Sequence, residues 1–149
     1  MRTRIYPLSL LIIIAIVLLS LLPFNDVRIA AQVPFADKWT HMAMYFTLTA
    51  VVWAEHLYRN AQPRWGYLLG CGVLGSVVLG GLMELAQAYL TTYRSGDWWD
   101  FAADCVGVAA GALVGAALTP ITAKRRAGQK NSCPNPAGGF RQDPENVRL

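Results

Sequence analysis

GLMELAQAYLTTYRSGDWWDFAADCVGVAAG, residues 81–111, runs from the end of one apolar block through a short polar turn into the start of the next. Before the turn, Glu84, Gln87, Thr91 and Arg94 recur at i, i+3, i+7 and i+10, which is one face of a helix. Beyond it, Asp97, Asp100 and Asp104 stand at i, i+3 and i+7, and Gly107, Gly111 and Gly115 carry the same face onward. Polar faces of this kind inside apolar blocks predict two helices that present their ionisable groups to each other and their apolar sides to lipid. The glycine stripe predicts a close helix–helix approach, as small residues at four-residue spacing do in membranes.

Working outward, the whole chain has the same character. Its 149 residues are 54% hydrophobic and only 15% charged, with a mean hydropathy of +0.33, which excludes an ordinary water-soluble domain. Four apolar blocks, at about 6–23, 37–58, 65–93 and 100–121, each supply the roughly 20 residues needed to cross a hydrocarbon layer of about 30 Å. Backbone groups find no water there, so such blocks must be helical. Pro63 interrupts the pattern between the second and third blocks. The first block follows Arg2 and Arg4 like a signal peptide, but its apolar run is long and no clean small-residue cleavage site follows it, so a retained helix is expected. The fold class expected is therefore all-α, a polytopic membrane four-helix bundle over residues 1–123.

Ten basic residues (Arg2, Arg4, Arg59, Arg64, Lys124, Arg125, Arg126, Lys130, Arg141 and Arg148) fall on one side of the four spans, and Arg28, Lys38 and Arg94 on the other. The richer side is cytoplasmic by the positive-inside rule, which places both termini there. Residues 124–149 are polar, with Pro134, Pro136, Pro144 and a Gly138-Gly139 pair, and are expected to be a disordered cytoplasmic tail. The net charge of +4 is dispersed between apolar blocks, so no nucleic-acid partner is expected. Cys71, Cys105 and Cys133 have no metal-ligand spacing.

Most polar residues that intrude on the spans gather towards the outer face. Asp37, His41 and Tyr45 share a face of the second block, with Lys38 beside them. Glu84 lies roughly 10 Å below the outer end of the third, where a carboxylate facing lipid would be costly. Asp97, Asp100 and Asp104 complete the group. Each set has a plain structural reading, as helix caps, interface residues or buried interhelix hydrogen bonds. Together, three helices place ionisable groups at one depth, and that points to a polar cleft. The ligand-binding candidates are Asp37, Lys38, His41, Tyr45, Glu84, Gln87, Arg94, Asp97, Asp100 and Asp104. For catalysis, His41 held by Asp37 would be the general base and Glu84 the acid, but no nucleophile elbow, phosphate loop or zinc signature is present. No cofactor is expected and no metal is assigned, although Asp97, Asp100 and Asp104 with His41 would suit a hard divalent cation.

The succession Asp37-Lys38-x-x-His41-x-x-x-Tyr45, Glu84-x-x-Gln87, and Arg94-x-x-Asp97-x-x-Asp100-x-x-x-Asp104-x-x-Gly107-x-x-x-Gly111 resembles the VanZ-like membrane protein family over roughly residues 6–118. Asp104 stands where that pattern usually has Asn. The resemblance implies a multi-pass protein of the bacterial cell membrane, and the family's namesake is associated with low-level teicoplanin resistance. It implies no reaction. The function expected is recognition or modification of a lipid-linked or cell-wall-related molecule at the outer cleft, with a link to glycopeptide resistance. A proton-coupled transporter built on Glu84 or a structural membrane subunit docking through its glycines are the alternatives. The expected partners are the bilayer and that envelope ligand, with a homo-oligomer as a further option.

Overall fold

The computed structural model describes residues 6–21, 35–60, 62–91 and 96–132, and every regular element among them is a helix. We number them α1 (Pro7–Leu21), α2 (Ala36–Arg59), α3 (Trp65–Leu90) and α4 (Trp98–Ser132). Arg94, Cys133 and the basic residues Arg2, Arg4, Arg28, Arg141 and Arg148 lie outside the described residues. Among the described residues two helices, Trp65–Leu90 and Trp98–Lys124, are long and apolar enough to cross a membrane.

Packing is organised around α2 and α4. On α4 the buried positions are Asp100, Asp104, Gly107, Val108, Gly111, Gly115 and Thr119, a narrow stripe at helical period. Its glycines meet α2 directly. Gly107 lies against the Met42 carbonyl, Gly111 against the Phe46 carbonyl and Gly115 against the Trp53 ring. Any side chain at these points would push the two helices apart, so this is where glycine is required. The Trp53 indole N–H donates to Thr119 Oγ1 at 3.1 Å, which satisfies a buried donor at the far end of the seam.

The third helix contains wide turns at Leu68–Leu74, where the Gly75 N–H bonds Gly70 O, five residues back. The wider turns help keep every fourth residue (Leu68, Gly72, Ser76, Gly80, Glu84) on the buried side. The first helix is tied down by polar groups. Pro7 needs no N–H partner at its first position, and the Ser9 N–H and Oγ both donate to Glu55 Oε2, at 3.0 and 2.9 Å. Gln87 Nε2 donates to the Ser20 carbonyl at 3.2 Å, linking α3 to α1 near the opposite end.

The outer surface is apolar. Leu10, Leu11, Ile14 and Leu18 on α1, Leu74, Val78, Leu82 and Leu85 on α3, and Val106, Leu113 and Leu118 on α4 are all exposed. Trp39, Tyr89, Trp98 and Trp99 ring one end of the molecule, while Tyr58 and Trp65 mark the other.

One boundary differs from expectation. The fourth helix was expected to end near 121 and give way to a disordered tail, but it continues to Ser132 with Pro120 inside it. Proline costs one ladder hydrogen bond and crowds the preceding turn. Ala123, Lys124, Arg125, Arg126 and Ala127 are strong helix formers that carry the helix past it. Residues 133–149 of the expected tail lie outside the described residues.

Candidate functional site

At the end of the molecule where α2 begins, α3 ends and α4 begins, the helices converge on a buried polar cluster. At about 1.5 Å per residue, His41, Glu84 and Asp104 each lie about 8–9 Å from the nearby end of their helix. His41 is 1% exposed, Asp104 fully buried and Glu84 9% exposed. His41 Nδ1 and Asp104 Oδ1 are 3.0 Å apart. Glu84 Oε1 stands 3.8 Å from the same nitrogen, too long for a hydrogen bond and close enough for a charge pair.

Two close approaches set this geometry. A Cβ on Gly80 would meet Asp104 Oδ2 at 2.9 Å, so the Asp104 carboxylate occupies space that any other residue at 80 would fill. A Cβ on Gly96 would stand 2.6 Å from the Glu84 carbonyl. That contact brings the backbone at Gly96 close onto α3, and the Asp97 backbone N–H donates to Glu84 Oε2 at 2.8 Å. Neither glycine was singled out in the sequence. The signals were a Gly80-Gly81 pair inside a helix and a glycine next to Asp97 in the turn.

Above the cluster, Lys38 bridges the turn to α4. Its ammonium donates to Asp97 Oδ2 at 3.1 Å and Asp100 Oδ1 at 2.9 Å. Asp97 is also held by the Trp99 N–H, at 3.0 Å from Oδ1. That backbone bond first, and Lys38 second, hold its carboxyl below the usual carboxylate range. Asp100 is buried behind the bridge.

The predicted residues thus divide. His41, Glu84, Asp104 and Tyr45 are brought together in the interior, and Lys38, Asp97 and Asp100 form the bridge over them. Asp37 is exposed at the rim, with a carboxylate oxygen within 4.8 Å of ligand atoms of His41 and Asp100. The carboxylate that holds the His41 ring is therefore Asp104 rather than Asp37, because Asp104 points inward from α4 while Asp37 sits on the exposed first turn of α2. Gln87 is buried but spends its amide on Ser20. His41 Nε2, Tyr45 Oη, Glu84 Oε1 and Asp104 Oδ2 are buried with no hydrogen-bond partner among the described residues. Buried polar atoms normally find partners, and here four of them cluster.

Beside Glu84 a groove of about 420 Å³ opens between α3 and α4. Val78, Leu82, Leu85, Tyr89, Trp98 and Phe101 make it apolar, and Glu84 and Asp97 supply its polar edge. The volume falls in the range of small-molecule sites, which typically combine apolar walls with a few polar groups. Such a place can accept hydrogen bonds from a polar headgroup, take up a proton or hold a cation.

A second polar cluster lies at the other end. The Arg64 backbone N–H donates to His56 Nε2 at 3.2 Å, which makes Nε2 the acceptor and leaves the proton on Nδ1, 3.2 Å from Tyr6 Oη. Tyr6, His56 and Tyr67 stack on one another. This cluster joins helices and does not border the groove beside Glu84.

Comparison of the chain with protein-family models, with curated proteins and with solved structures found no match.

Proposed function

We propose that this chain is a multi-pass protein of the bacterial cell membrane, crossing four times with both termini cytoplasmic. At its extracytoplasmic end it recognises a lipid-linked molecule of the cell envelope. The observation that carries this reading is the joining of two opposite environments at Glu84. A buried ionisable cluster lies on one side of it, and an apolar groove opens towards the exposed flank of the molecule on the other. A molecule with a hydrogen-bonding head and an acyl tail meets both requirements.

The inverted distribution of polarity supports the membrane setting. Charged and polar side chains are buried and large apolar ones are exposed, the arrangement that lipid favours and water does not. The aromatic residues at both ends match interfacial belts. Between the two polar clusters, α2 buries mainly Leu48, Val52 and Trp53, which favours recognition at one face over passage through the molecule. The likeness of the motif set to VanZ-like proteins is in keeping with this reading and extends it to glycopeptide susceptibility. Recognition needs no catalysis, and the residues are assigned here to binding.

The test is mass spectrometry of lipids that copurify with the full chain in mild detergent. The wild type should retain one envelope lipid class, enriched at least about tenfold over bulk membrane, equivalent to about 1.4 kcal/mol of preference. Gly81→Leu, which fills the groove next to Phe101, and Glu84→Gln should each abolish that enrichment. A wild-type lipid profile identical to bulk membrane would defeat the proposal.

A further inference from the structure

We infer that His41, Glu84 and Asp104 form a binding site for one first-row divalent transition-metal ion, with zinc as the type. The site lies next to the proposed lipid groove and shares Glu84 with it. It does not depend on what fills the groove.

The geometry is the first argument. One ligand atom from each of the three residues lies within 4.8 Å of the others. Zinc takes imidazole nitrogen and carboxylate oxygen at about 2.0–2.2 Å, so neighbouring ligand atoms around a tetrahedral ion stand about 3.4 Å apart. The two separations from His41 Nδ1, 3.0 Å to Asp104 Oδ1 and 3.8 Å to Glu84 Oε1, bracket that figure. Side-chain adjustments of a few tenths of an ångström would bring both onto it. Three protein ligands leave a fourth position for water or for a polar group of a ligand, as in catalytic rather than structural zinc sites.

The second argument is independent of distance. Glu84 Oε1 is buried, aimed at the imidazole and without a hydrogen-bond partner among the described residues, and Asp104 Oδ2 is likewise unsatisfied. With both carboxylates ionised, the trio remains net negative even when the imidazole is protonated. Lys38 cannot neutralise them, because its ammonium is bonded to Asp97 and Asp100. An uncompensated charge at this burial is costly, and a divalent cation removes the imbalance while giving Glu84 Oε1 a partner. The mixed donor set of one imidazole and two carboxylates suits zinc, iron or manganese better than calcium, which takes oxygen ligands alone.

The experiment uses the full chain, purified in detergent through a tag that carries no histidines from cells grown with added zinc, manganese and iron. Metal content is read by inductively coupled plasma mass spectrometry. About one ion per chain is expected. After chelation, titration with ZnCl₂ against a fluorescent chelator should show one saturable site whose occupancy raises Tm. Glu84→Gln and Asp104→Asn should each weaken binding by at least about tenfold, the scale on which even groups behind the ligands act. Asp100→Asn should weaken it clearly less than either, which separates this trio from the neighbouring set of Asp37, His41 and Asp100. Wild-type protein that purifies without metal and shows no saturable zinc binding overturns the inference without requiring any variant to fold. Binding lost in Asp100→Asn and kept in Glu84→Gln also overturns it. Lipid mass spectrometry of the same sample reads the groove separately. Metal absent with lipid enriched refutes the metal site alone, and metal present with bulk lipid refutes the lipid reading alone.

Discussion

Gly111→Val is the sharpest test of how the fold builds the site. An ideal Cβ at Gly111 would stand 2.7 Å from the Phe46 carbonyl oxygen, 3.0 Å from Thr49 Cβ and 3.3 Å from the Ala50 nitrogen. All three are backbone or Cβ atoms, so no rotamer change relieves the contact. Ordinary contact begins near 3.4 Å, so α2 and α4 must separate by about 0.7 Å, the difference between 3.4 and 2.7. Overpacking of this kind costs about 1–3 kcal/mol. Valine belongs at the upper end, since its two methyls are restricted at χ1. Leaving glycine returns only a few tenths of a kcal/mol of helix propensity. The net loss of about 1.5–2.5 kcal/mol corresponds to a fall in Tm of about 3–10 °C for a chain of this size. The same opening would lengthen the 3.0 Å His41–Asp104 contact, seven residues along the same seam, to as much as about 3.7 Å, past hydrogen-bond range. Retained ligand should therefore be lost even where the helices survive. The assay is thermal unfolding in detergent followed by tryptophan fluorescence, with lipid and metal content measured on the same preparation. Gly66→Ala is the control, because a Cβ there meets nothing within 4 Å, and it should match or exceed wild type. A Gly111→Val protein with wild-type Tm and wild-type ligand content would show that α2 and α4 do not meet at this position.

Four further outcomes are expected. Reporter fusions after Arg59 and in the tail should read cytoplasmic, and one at Ser95 extracytoplasmic; a cytoplasmic reading at Ser95 would invert the proposed topology. Cys71 and Cys105, both free thiols, lie near opposite ends of the molecule and should each be alkylated without reduction, so a disulfide peptide joining them would contradict the packing. Glu55→Ala leaves the buried Ser9 N–H and hydroxyl without their acceptor and should cost about 1–3 kcal/mol in thermal unfolding, with most of the loss recovered in Glu55→Gln. Asp97, whose carboxyl is held below its ordinary value of 3.8, stabilises the folded state above that value and loses the contribution as pH falls through the lowered one; Asp97→Asn should lower Tm at neutral pH, and equal Tm values for the two proteins there would remove the role given to the Lys38 bridge.

The apolar blocks were legible because hydrophobicity over some twenty residues is a strong signal, and three of the four described helices begin and end within about three residues of where the sequence places them. The glycine stripe of α4 was legible too, although not its partner, since nothing in the spacing says which neighbouring helix will meet it. The site was readable as a set of residue types at one depth and unreadable as a set of bonds. Helical periodicity assigns Asp37 and His41 to one face, but burial decides between partners, and burial favours Asp104. Gln87 shares the face of Glu84 in the sequence, yet its amide reaches the backbone of α1, a contact that depends on the azimuth of a helix sixty-odd residues away. The extension of α4 was missed because a proline and a cluster of charges together suggested an end, whereas local propensity sustained the helix.

The placement of the glycines explains how a buried pair of carboxylates is tolerated at all. Asp104 and Gly107 lie on one face of α4, so the residue that brings α2 into backbone contact also fixes His41 opposite Asp104. Gly80 does the same from α3, leaving space on the buried face that the Asp104 carboxylate occupies. The charges therefore sit where the helices are closest and least able to relax, instead of at a loose rim where water could screen them. A cluster held in this way cannot reduce its electrostatic cost by moving apart. It can do so only by taking up a proton or a cation, or by binding a polar group that completes its hydrogen bonds. The groove beside Glu84 leads such a ligand to the one member of the cluster that borders it. The glycine seam and the proposed binding site are therefore one device, and a substitution that loosens the first should disable the second before it unfolds the protein.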